Sequence, residues 1–346
     1  MKYIKFFDKL SDFESVKDNL DRPNVSLIQE TNSVTYFPAS AIDYSKEYFT
    51  IEALEDGLTA KLSVNTCEYC IDNGDWTTLT ANTNTVSINT GQTLSFKGNL
   101  TPMTTRGIGA FTISKKCNVK GNIMSLLYGD DFIDKIDLTG KKWAFSNLFY
   151  NCTNIVDASK LILPATTLDY YCYYDMFSGC KNLTAAPELP ATTLDYYCYY
   201  YMFCECTSLT TAPELPATTL AGYCYSGMFS GCKNLATAPE LPATTLAKYC
   251  YSSMFYGCTN LTTAPKLPAT TLVDYCYSTM FYGCSKLNYI KALFTNSSFT
   301  INTSSLYTDN WVNGVSSTGT FVKSKNATWN LIGVNGIPGG WTVETV

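Results

Sequence analysis

Cysteine and tyrosine are the residues of this chain that stand out as able to do chemistry. The 346 residues include 15 cysteines and 26 tyrosines but no histidine. Within these residues there is therefore no histidine for a Ser-His-Asp triad, a histidine-ligated metal or a histidine pH switch. Carboxylate chemistry, thiol chemistry and binding remain.

Ten of the cysteines form two regular series. One series is Cys172, Cys198, Cys224, Cys250 and Cys276, and the other is Cys180, Cys206, Cys232, Cys258 and Cys284. Cysteines at a fixed place in a repeated unit are typical of buried packing positions, and a redox or metal role is the less favoured alternative. If the units stack at about 4.8 Å, neighbouring thiols could form disulfides on oxidation, which is a hypothesis.

The remaining motifs give weak evidence for a metal site. Cys67 and Cys70 form a Cys-x-x-Cys pair with only Cys117 nearby in sequence, whereas a structural zinc site needs four ligands. The run Asp72-Asn73-Gly74-Asp75 lacks the ligand spacing of a calcium loop and favours a hairpin turn. We expect no metal and no cofactor.

Carboxylates could supply the acid and base of a glycosidase, which needs no histidine. Asp130, Asp131 and Asp75 are the candidates. Adjacent aspartates usually decorate a loop, and no glycosidase context surrounds them. We therefore expect no enzyme and keep a carboxylate-dependent carbohydrate-active enzyme as the less favoured alternative.

The tyrosines are the best candidates for a binding role. Eighteen of the 26 lie between residues 164 and 289. Tyr171 and Tyr173 recur in every repeat, so we expect them to be structural, with each phenol reaching solvent or a backbone group. Seven others occupy positions that differ between repeats and are predicted to be exposed and to bind a ligand: Tyr170, Tyr174, Tyr196, Tyr200, Tyr201, Tyr256 and Tyr282.

A 26-residue repeat must position these side chains. Pro164-Ala165-Thr166-Thr167-Leu168 returns at Pro190, Pro216, Pro242 and Pro268, and a degenerate half-copy begins at Leu148. A period of this length is typical of a solenoid. Leu168, Cys172, Met176 and Cys180 fall four residues apart and predict a short helical turn. Pro187 and Pro190 predict an extended segment, which gives one short strand and one helical turn per repeat.

The repeat resembles a known family. The run Met176-Phe177-Ser178-Gly179-Cys180-Lys181-Asn182-Leu183-Thr184, which recurs from Met254, is similar to the Phe-x-Gly-Cys-x-x-Leu-Thr core of BspA-like leucine-rich repeats. These repeats occur in surface proteins of Bacteroidales and in the crAss-like phages that infect them. The resemblance covers residues 145 to 295. The added Pro-Ala-Thr-Thr-Leu and Tyr-Cys-Tyr depart from the commoner repeat, so the family's binding face is not carried over.

The predicted fold class is α+β and mostly β, with four domains. Residues 1 to 44 form a helix plus a β-hairpin: a capping box begins at Ser11, the helix ends before Pro23, and strands follow at 25 to 28 and 34 to 37. This segment resembles an N-terminal module of Bacteroidetes phage structural proteins. Residues 45 to 125 predict a small β-sandwich, 126 to 295 the leucine-rich-repeat solenoid, and 296 to 346 a β-rich cap that resembles the ending of related repeat proteins.

Charge and hydropathy limit the partners. A net charge of -5 and a pI near 4.9 argue against nucleic acid. No apolar run reaches the ~20 residues that a membrane span needs, and the opening residues lack the pattern of a signal peptide, so we expect no membrane insertion and synthesis in the host cytoplasm.

The resemblance implies a non-enzymatic virion surface protein, such as a head fibre, a decoration protein or a tail-associated protein. The N-terminal module would dock to other virion proteins, and the solenoid would bind a host surface glycan or protein. Homo-oligomerisation is left open. The alternative is a BspA-like adhesin on the bacterial cell surface.

Overall fold

The computed structural model describes residues 43 to 63, 66 to 100, 109 to 295 and 307 to 346, together with three strands nearer the N-terminus. The chain is mostly β, with few helices. The three N-terminal strands, β1 (Phe6–Phe7), β2 (Val25–Glu30) and β3 (Ser33–Pro38), form an antiparallel sheet in the order β1-β3-β2. The two predicted hairpin strands therefore pair. The predicted helix before Pro23 lies outside the described residues.

A six-stranded sheet follows, in the order β11-β10-β4-β8-β6-β7. Its strands are β4 (Phe49–Ala53), β6 (Cys67–Ile71), β7 (Thr77–Leu79), β8 (Thr93–Gly98), β10 (Cys117–Asn122) and β11 (Ile155–Ile162). A second pair, β5 (Ala60–Leu62) and β9 (Phe111–Ile113), packs against it, because the Phe111 ring lies 5.6 Å from Phe49 and 5.2 Å from Phe96. The single α-helix among the described residues, α1, spans Ser125–Tyr128.

The β-rich region and the repeats share backbone hydrogen bonds. Strand β10 pairs in parallel with β11, although β11 lies beyond the domain boundary predicted near residue 125. Ala110 donates to the carbonyl of Asn147, and the Phe111 ring stacks on Phe149 at 5.9 Å. The six-stranded sheet and its facing strands therefore cover one end of the repeats.

Successive repeats stack on one another through their backbones. The N–H groups of Tyr171, Phe177 and Gly179 donate to carbonyls in the next repeat, at 3.0, 2.9 and 2.7 Å. Between them, the N–H groups of Cys172 and Met176 donate three residues back within their own repeat. Alternating bonds of these two kinds satisfy the backbone and fix each repeat on its neighbour.

The predicted helical turn is wrong. The φ angle is positive at Tyr171 (61°), Tyr173 (60°), Asp175 (52°) and Gly179 (77°), whereas a helix needs a negative φ at every residue. A bond from residue i+3 to residue i with a positive φ at i+2 is the pattern of a type II turn. The segment is a chain of overlapping turns that advances two residues at a time.

The extended part of each repeat contributes bridges of one residue rather than a strand. Thr167 pairs in parallel with Thr193, Thr219 with Thr245, and Thr211 with Thr237. Each threonine therefore lies over an equivalent threonine of the next repeat. The prediction that this proline-containing segment is extended agrees with these bridges.

The core of the stacked repeats consists of columns of identical residues. Phe149, Phe177, Phe203, Phe229, Phe255 and Phe281 stack with their ring centroids 5.2 to 5.8 Å apart. Both cysteine series are buried, and all fifteen cysteines are free thiols. The thiol of Cys180 donates to the carbonyl of Phe149, and the thiol of Cys206 donates to that of Phe177, at 3.1 and 3.2 Å. The prediction that both series are buried packing positions is confirmed, and the disulfide hypothesis stays a prediction.

The described part of the C-terminal tail continues the stack. Phe281 donates to the carbonyl of Trp311 at 2.8 Å, so residues 307 to 314 follow the path of a further repeat. Strands β12 (Tyr289–Ala292), β13 (Thr320–Lys323) and β14 (Thr342–Thr345) form a parallel sheet in that order. Trp311 and Trp329 are buried beside Phe294.

Candidate functional site: an aromatic face on the first two repeats

One column of aromatic side chains follows the outside of the repeats. This outer ladder consists of Trp143, Tyr171, Tyr197, Tyr223, Tyr249 and Tyr275. Neighbouring rings lie 3.7 to 4.6 Å apart and within 13° of parallel. Tyr171 is buried at 7% exposure, and the other five members are half-buried. Because each ring covers the faces of its neighbours, these five present edges rather than faces to the surface.

A second column lies two residues further on and faces the core. This inner column contains Phe145, Tyr173, Tyr199, Tyr225, Tyr251 and Tyr277, with centroids 5.5 to 6.1 Å apart. The hydroxyls of Tyr173, Tyr199 and Tyr225 have no hydrogen-bond partner among the described residues. For these three, the prediction that the phenol reaches solvent or a backbone group is wrong. Burial raises the pKa of each well above its usual value.

Four of the seven predicted binding tyrosines gather around the first part of the outer ladder. Tyr170 meets Tyr171 edge to face at 4.3 Å, and Tyr174 stacks on Tyr200 at 5.0 Å. Tyr200 meets Tyr201 at 4.4 Å. The Tyr197 ring connects these two groups of tyrosines, because its centroid lies 6.0 Å from that of Tyr170 and 5.5 Å from that of Tyr200. We call Tyr170, Tyr171, Tyr174, Tyr197, Tyr200 and Tyr201 the aromatic cluster.

The exposure of the predicted tyrosines is uneven. Tyr196 is 53% exposed and Tyr256 is 41% exposed, which confirms the predicted exposure of these two residues. Tyr174 is buried at 4% exposure, so the prediction of exposure is wrong there, because its ring lies between Trp143, Tyr171 and Tyr200. Tyr170, Tyr200, Tyr201 and Tyr282 are half-buried.

Tyr256 and Tyr282 lie apart from the cluster. Their rings stack on each other at 4.8 Å, and among the described aromatic residues they contact no member of the cluster. They occupy the place in the repeat that Ser178, Cys204 and Ser230 occupy earlier. The seven predicted residues therefore fall in two groups. We count Tyr196 with the first, because it stands at the repeat position of Tyr170 and directly precedes Tyr197 in the chain.

Two tyrosine rings of the second repeat pack against glycines of the third repeat. A Cβ atom at Gly222 would lie 2.6 Å from the Tyr196 ring, and one at Gly227 would overlap the Tyr201 ring. The third repeat therefore has no side chain where the second has tyrosine. The sequence analysis did not predict this pairing. The signal was present, because each of the two tyrosines is followed by a glycine one repeat, or 26 residues, later.

Carboxylates accompany the cluster. Asp169 accepts the N–H groups of Tyr170 and Gly140, and Asp195 accepts that of Tyr196. Neither carboxylate forms an ion pair with any residue that the structure describes. Asp175 follows Tyr174 in the chain, and its N–H donates to the carbonyl of Tyr200 at 2.9 Å, which places this residue beside the cluster.

The far end of the ladder carries paired charges instead. Lys248 and Asp274 form an ion pair at 3.7 Å. The Lys248 ammonium also lies 5.6 Å from the Tyr249 ring and 6.0 Å from the Tyr275 ring. The charges therefore differ along the ladder. Asp169 and Asp195 of the first two repeats pair with no cation in the described part of the chain, whereas Lys248 and Asp274 of the last two repeats form an ion pair.

The other sequence candidates lie in different surroundings. Lys97 contacts Asp130 at 2.9 Å and Tyr48 donates to it at 2.8 Å, which holds the pKa of Asp130 below its usual value. Asp75 and Asp131 are exposed. No cluster suited to a metal ion occurs among the described residues. Asp72 and Asn73 have positive φ angles and Gly74 donates to Ile71, so this run forms the predicted hairpin turn.

No family model matches the chain, and no curated protein and no solved structure matches it. No helix within the described part of the chain is long and apolar enough to cross a membrane. We call the aromatic cluster together with Tyr196 the aromatic face.

Proposed function

We propose that this chain is a non-enzymatic display protein whose leucine-rich-repeat solenoid presents the aromatic face to a host surface glycan or protein. The observation that carries this proposal is the set of tyrosine rings seated on glycines of the next repeat. Gly222 and Gly227 leave the space that the rings of Tyr196 and Tyr201 fill. Other repeats have different residues at these two positions, so the stacking of the repeats does not itself require tyrosine there.

The cluster is suited to binding because its rings are already held in place. Tyrosine offers a large amphipathic contact surface with only two side-chain torsions, so ordering it costs little entropy on binding. Here neighbouring rings 4.3 to 6.0 Å apart restrict those torsions further in the free protein. A preorganised aromatic surface is the kind that contributes most to affinity.

The location follows from the sequence resemblance. The likeness of residues 145 to 295 to repeats of Bacteroidales and phage proteins, and of residues 1 to 44 to a phage module, supports a virion surface protein docked to other virion proteins. An adhesin of the bacterial cell surface is the second candidate, because the same repeats occur there. Mass spectrometry of purified phage particles and of bacterial envelope fractions separates the two, and finding the chain only in the envelope would contradict the virion proposal.

Binding is tested with matched tyrosine substitutions. We expect Tyr196→Ser and the double variant Tyr200→Ser/Tyr201→Ser to weaken attachment of the labelled protein to host cells. Tyr256→Ser and Tyr282→Ser remove tyrosines of similar exposure outside the cluster and should leave attachment unchanged. Circular dichroism checks that every variant remains folded. Equal attachment of all folded variants would contradict the proposed face.

A further inference from the structure

We propose that the aromatic face selects a ligand that carries ammonium groups, namely a glycan with free amino sugars, over neutral and anionic glycans. This inference rests on the proposed binding function and names the ligand class of the same face. It follows from the charges beside the rings and from an internal contact at the other end of the ladder.

Negative charge is concentrated on the first two repeats. Asp169, Asp175 and Asp195 all lie within or beside the aromatic face, and Asp169 and Asp195 have no cation within ion-pair distance among the described residues. The whole chain is also acidic, with a net charge of -5. An anionic glycan would meet like charges at this face, and a neutral glycan would gain nothing from them.

The rings add to this preference. A cation within about 6 Å of an aromatic ring is attracted by the negative potential of its face. The rings of the outer ladder cover one another, but Tyr196 is 53% exposed and its backbone is bonded to Asp195 at 2.6 Å. An ammonium group beside Tyr196 would therefore meet a ring and a carboxylate together.

The fourth repeat contains such an arrangement within the protein. Lys248 stands at the repeat position that Tyr170 and Tyr196 occupy earlier. Its ammonium lies 5.6 Å from Tyr249 and 6.0 Å from Tyr275, both in the outer ladder, and 3.7 Å from Asp274. The first two repeats keep the ladder and have tyrosine in place of lysine, and their carboxylates Asp169 and Asp195 stand one repeat position before that of Asp274. At the first two repeats, an ammonium group of the ligand could therefore contact an aromatic ring and a carboxylate, as the Lys248 ammonium does in the fourth repeat.

The test compares three sugar probes at about pH 5.5, where aspartates are ionised. The probes are a fully deacetylated glucosamine hexamer, the N-acetylated hexamer and an oligogalacturonate, each titrated into the intact protein by calorimetry. Only the deacetylated hexamer offers ammonium groups to the Tyr196 ring and the carboxylates, so we expect it to bind about tenfold tighter than the acetylated one, a difference of about 1.4 kcal/mol. Added salt should reduce the difference.

Two variants show whether the preference belongs to this face. Asp195→Asn keeps an acceptor for the Tyr196 N–H and removes the charge, so it should cut the preference several-fold, as should Asp175→Asn. Glu240→Gln removes an exposed charge in the Pro-Glu-Leu-Pro segment and should change nothing. Equal losses in all three variants, or no loss in any, would overturn the inference, because they indicate general attraction of a polycation to an acidic protein.

The inference and the proposed function fail separately. Equal binding of the two hexamers, or tighter binding of the oligogalacturonate, overturns the ligand class. If Tyr196→Ser still weakens host attachment in that case, the binding face itself stands. If Tyr196→Ser leaves host attachment unchanged, the proposed function fails whatever the sugar probes do.

Discussion

The two tyrosine columns are made of the same residue type two positions apart, and they place it in opposite environments. Inner-column centroids are 5.5 to 6.1 Å apart in the core, whereas those of the outer-ladder tyrosines are 4.4 to 4.6 Å apart at the surface. Among the described residues, the inner-column hydroxyls of Tyr173, Tyr199 and Tyr225 have no hydrogen-bond partner. In the outer ladder, burial and the neighbouring phenols of Tyr197 and Tyr249 raise the pKa of Tyr223 to about 12.

This difference separates what holds the repeats together from what they can present. Burial of the inner rings stabilises the stacked repeats. Their hydroxyls reduce this stabilisation, because a buried hydroxyl without a hydrogen-bond partner costs free energy. The outer rings bury less surface but keep hydroxyls and edges available at the surface. A change in the inner column should therefore act on stability, and a change in the aromatic face should act mainly on binding.

High pH should break the interior most strongly. Burial raises the pKa of Cys172 and of Cys224 to about 12, from a usual value of 9.0, and raises those of the inner tyrosines well above 10.0. The folded state therefore holds protons that the unfolded state releases above pH 9. Each such thiol contributes stability that is complete below pH 9 and falls by about 1.4 kcal/mol per pH unit above it.

Because many thiols share this shift, we expect the unfolding free energy to decrease steeply from pH 9 and the native state to be lost before pH 12. Urea unfolding in a reducing agent at a series of pH values measures it. Recovery of the native spectrum on return to neutral pH shows that the loss is not chemical damage. A free energy that stays constant from pH 8 to about 10.5 would contradict the assignment of buried, protonated thiols.

Replacing one tyrosine of each column by alanine compares how much the two columns contribute to stability. Tyr225→Ala leaves a cavity in the core and should cost about 3–5 kcal/mol, whereas Tyr223→Ala, two residues away and half-buried, should cost about 1–2 kcal/mol. Chemical denaturation of both variants checks the difference. Equal costs would mean that the outer ladder supports the fold as much as the core does.

The repeat and its buried columns could be predicted from the sequence, because a residue that recurs every 26 positions must meet its own copies when the repeats stack. The helical turn could not. Leu168, Cys172, Met176 and Cys180 are spaced by four, and a helix of 3.6 residues per turn would rotate such a stripe by about 40° at every step. A chain of two-residue turns keeps the spacing of four on one side, which is the structure observed.

The aromatic face was also only partly predictable. Variation between repeats identified Tyr170, Tyr196, Tyr200 and Tyr201, but the same criterion included Tyr174, which is buried, and the separate pair Tyr256 and Tyr282. Whether a variable position is exposed depends on the size of its neighbours in the adjacent repeats. Those neighbours lie about 26 residues away in the sequence and come into contact only when the repeats stack.

Glycine substitutions test how the face is seated. Gly227 and Gly257 both have positive φ angles, of 64° and 71°, so alanine is strained at each by about 1–2 kcal/mol. Alanine at Gly227 also displaces the Tyr201 ring and should cost about 1–3 kcal/mol more, whereas at Gly257 no heavy atom lies closer than 4.0 Å to the added Cβ.

We therefore expect Gly227→Ala to be less stable than Gly257→Ala and to weaken host attachment as well, because Tyr201 leaves the cluster. Thermal unfolding and the attachment assay measure the two effects. The same stability for both variants would mean that the Tyr201 ring does not rest on Gly227.

The smallest expected effect is also the sharpest, because the two columns should respond with opposite signs to the loss of one oxygen atom. Tyr225→Phe removes a buried hydroxyl without a partner and should raise the unfolding free energy by about 1 kcal/mol. Phe145, which stacks on Tyr173 at the start of the same column, shows that phenylalanine fits there. Tyr223→Phe removes a half-buried hydroxyl beside the stacked phenols of Tyr197 and Tyr249, where we expect it to find a hydrogen-bond partner, and it should lower the unfolding free energy by about 0.5–1 kcal/mol. Both side chains keep their rings, so burial and stacking cancel in the comparison. If both variants shift the free energy in the same direction, the inner hydroxyls have partners in solution, and the distinction between the columns rests on burial alone.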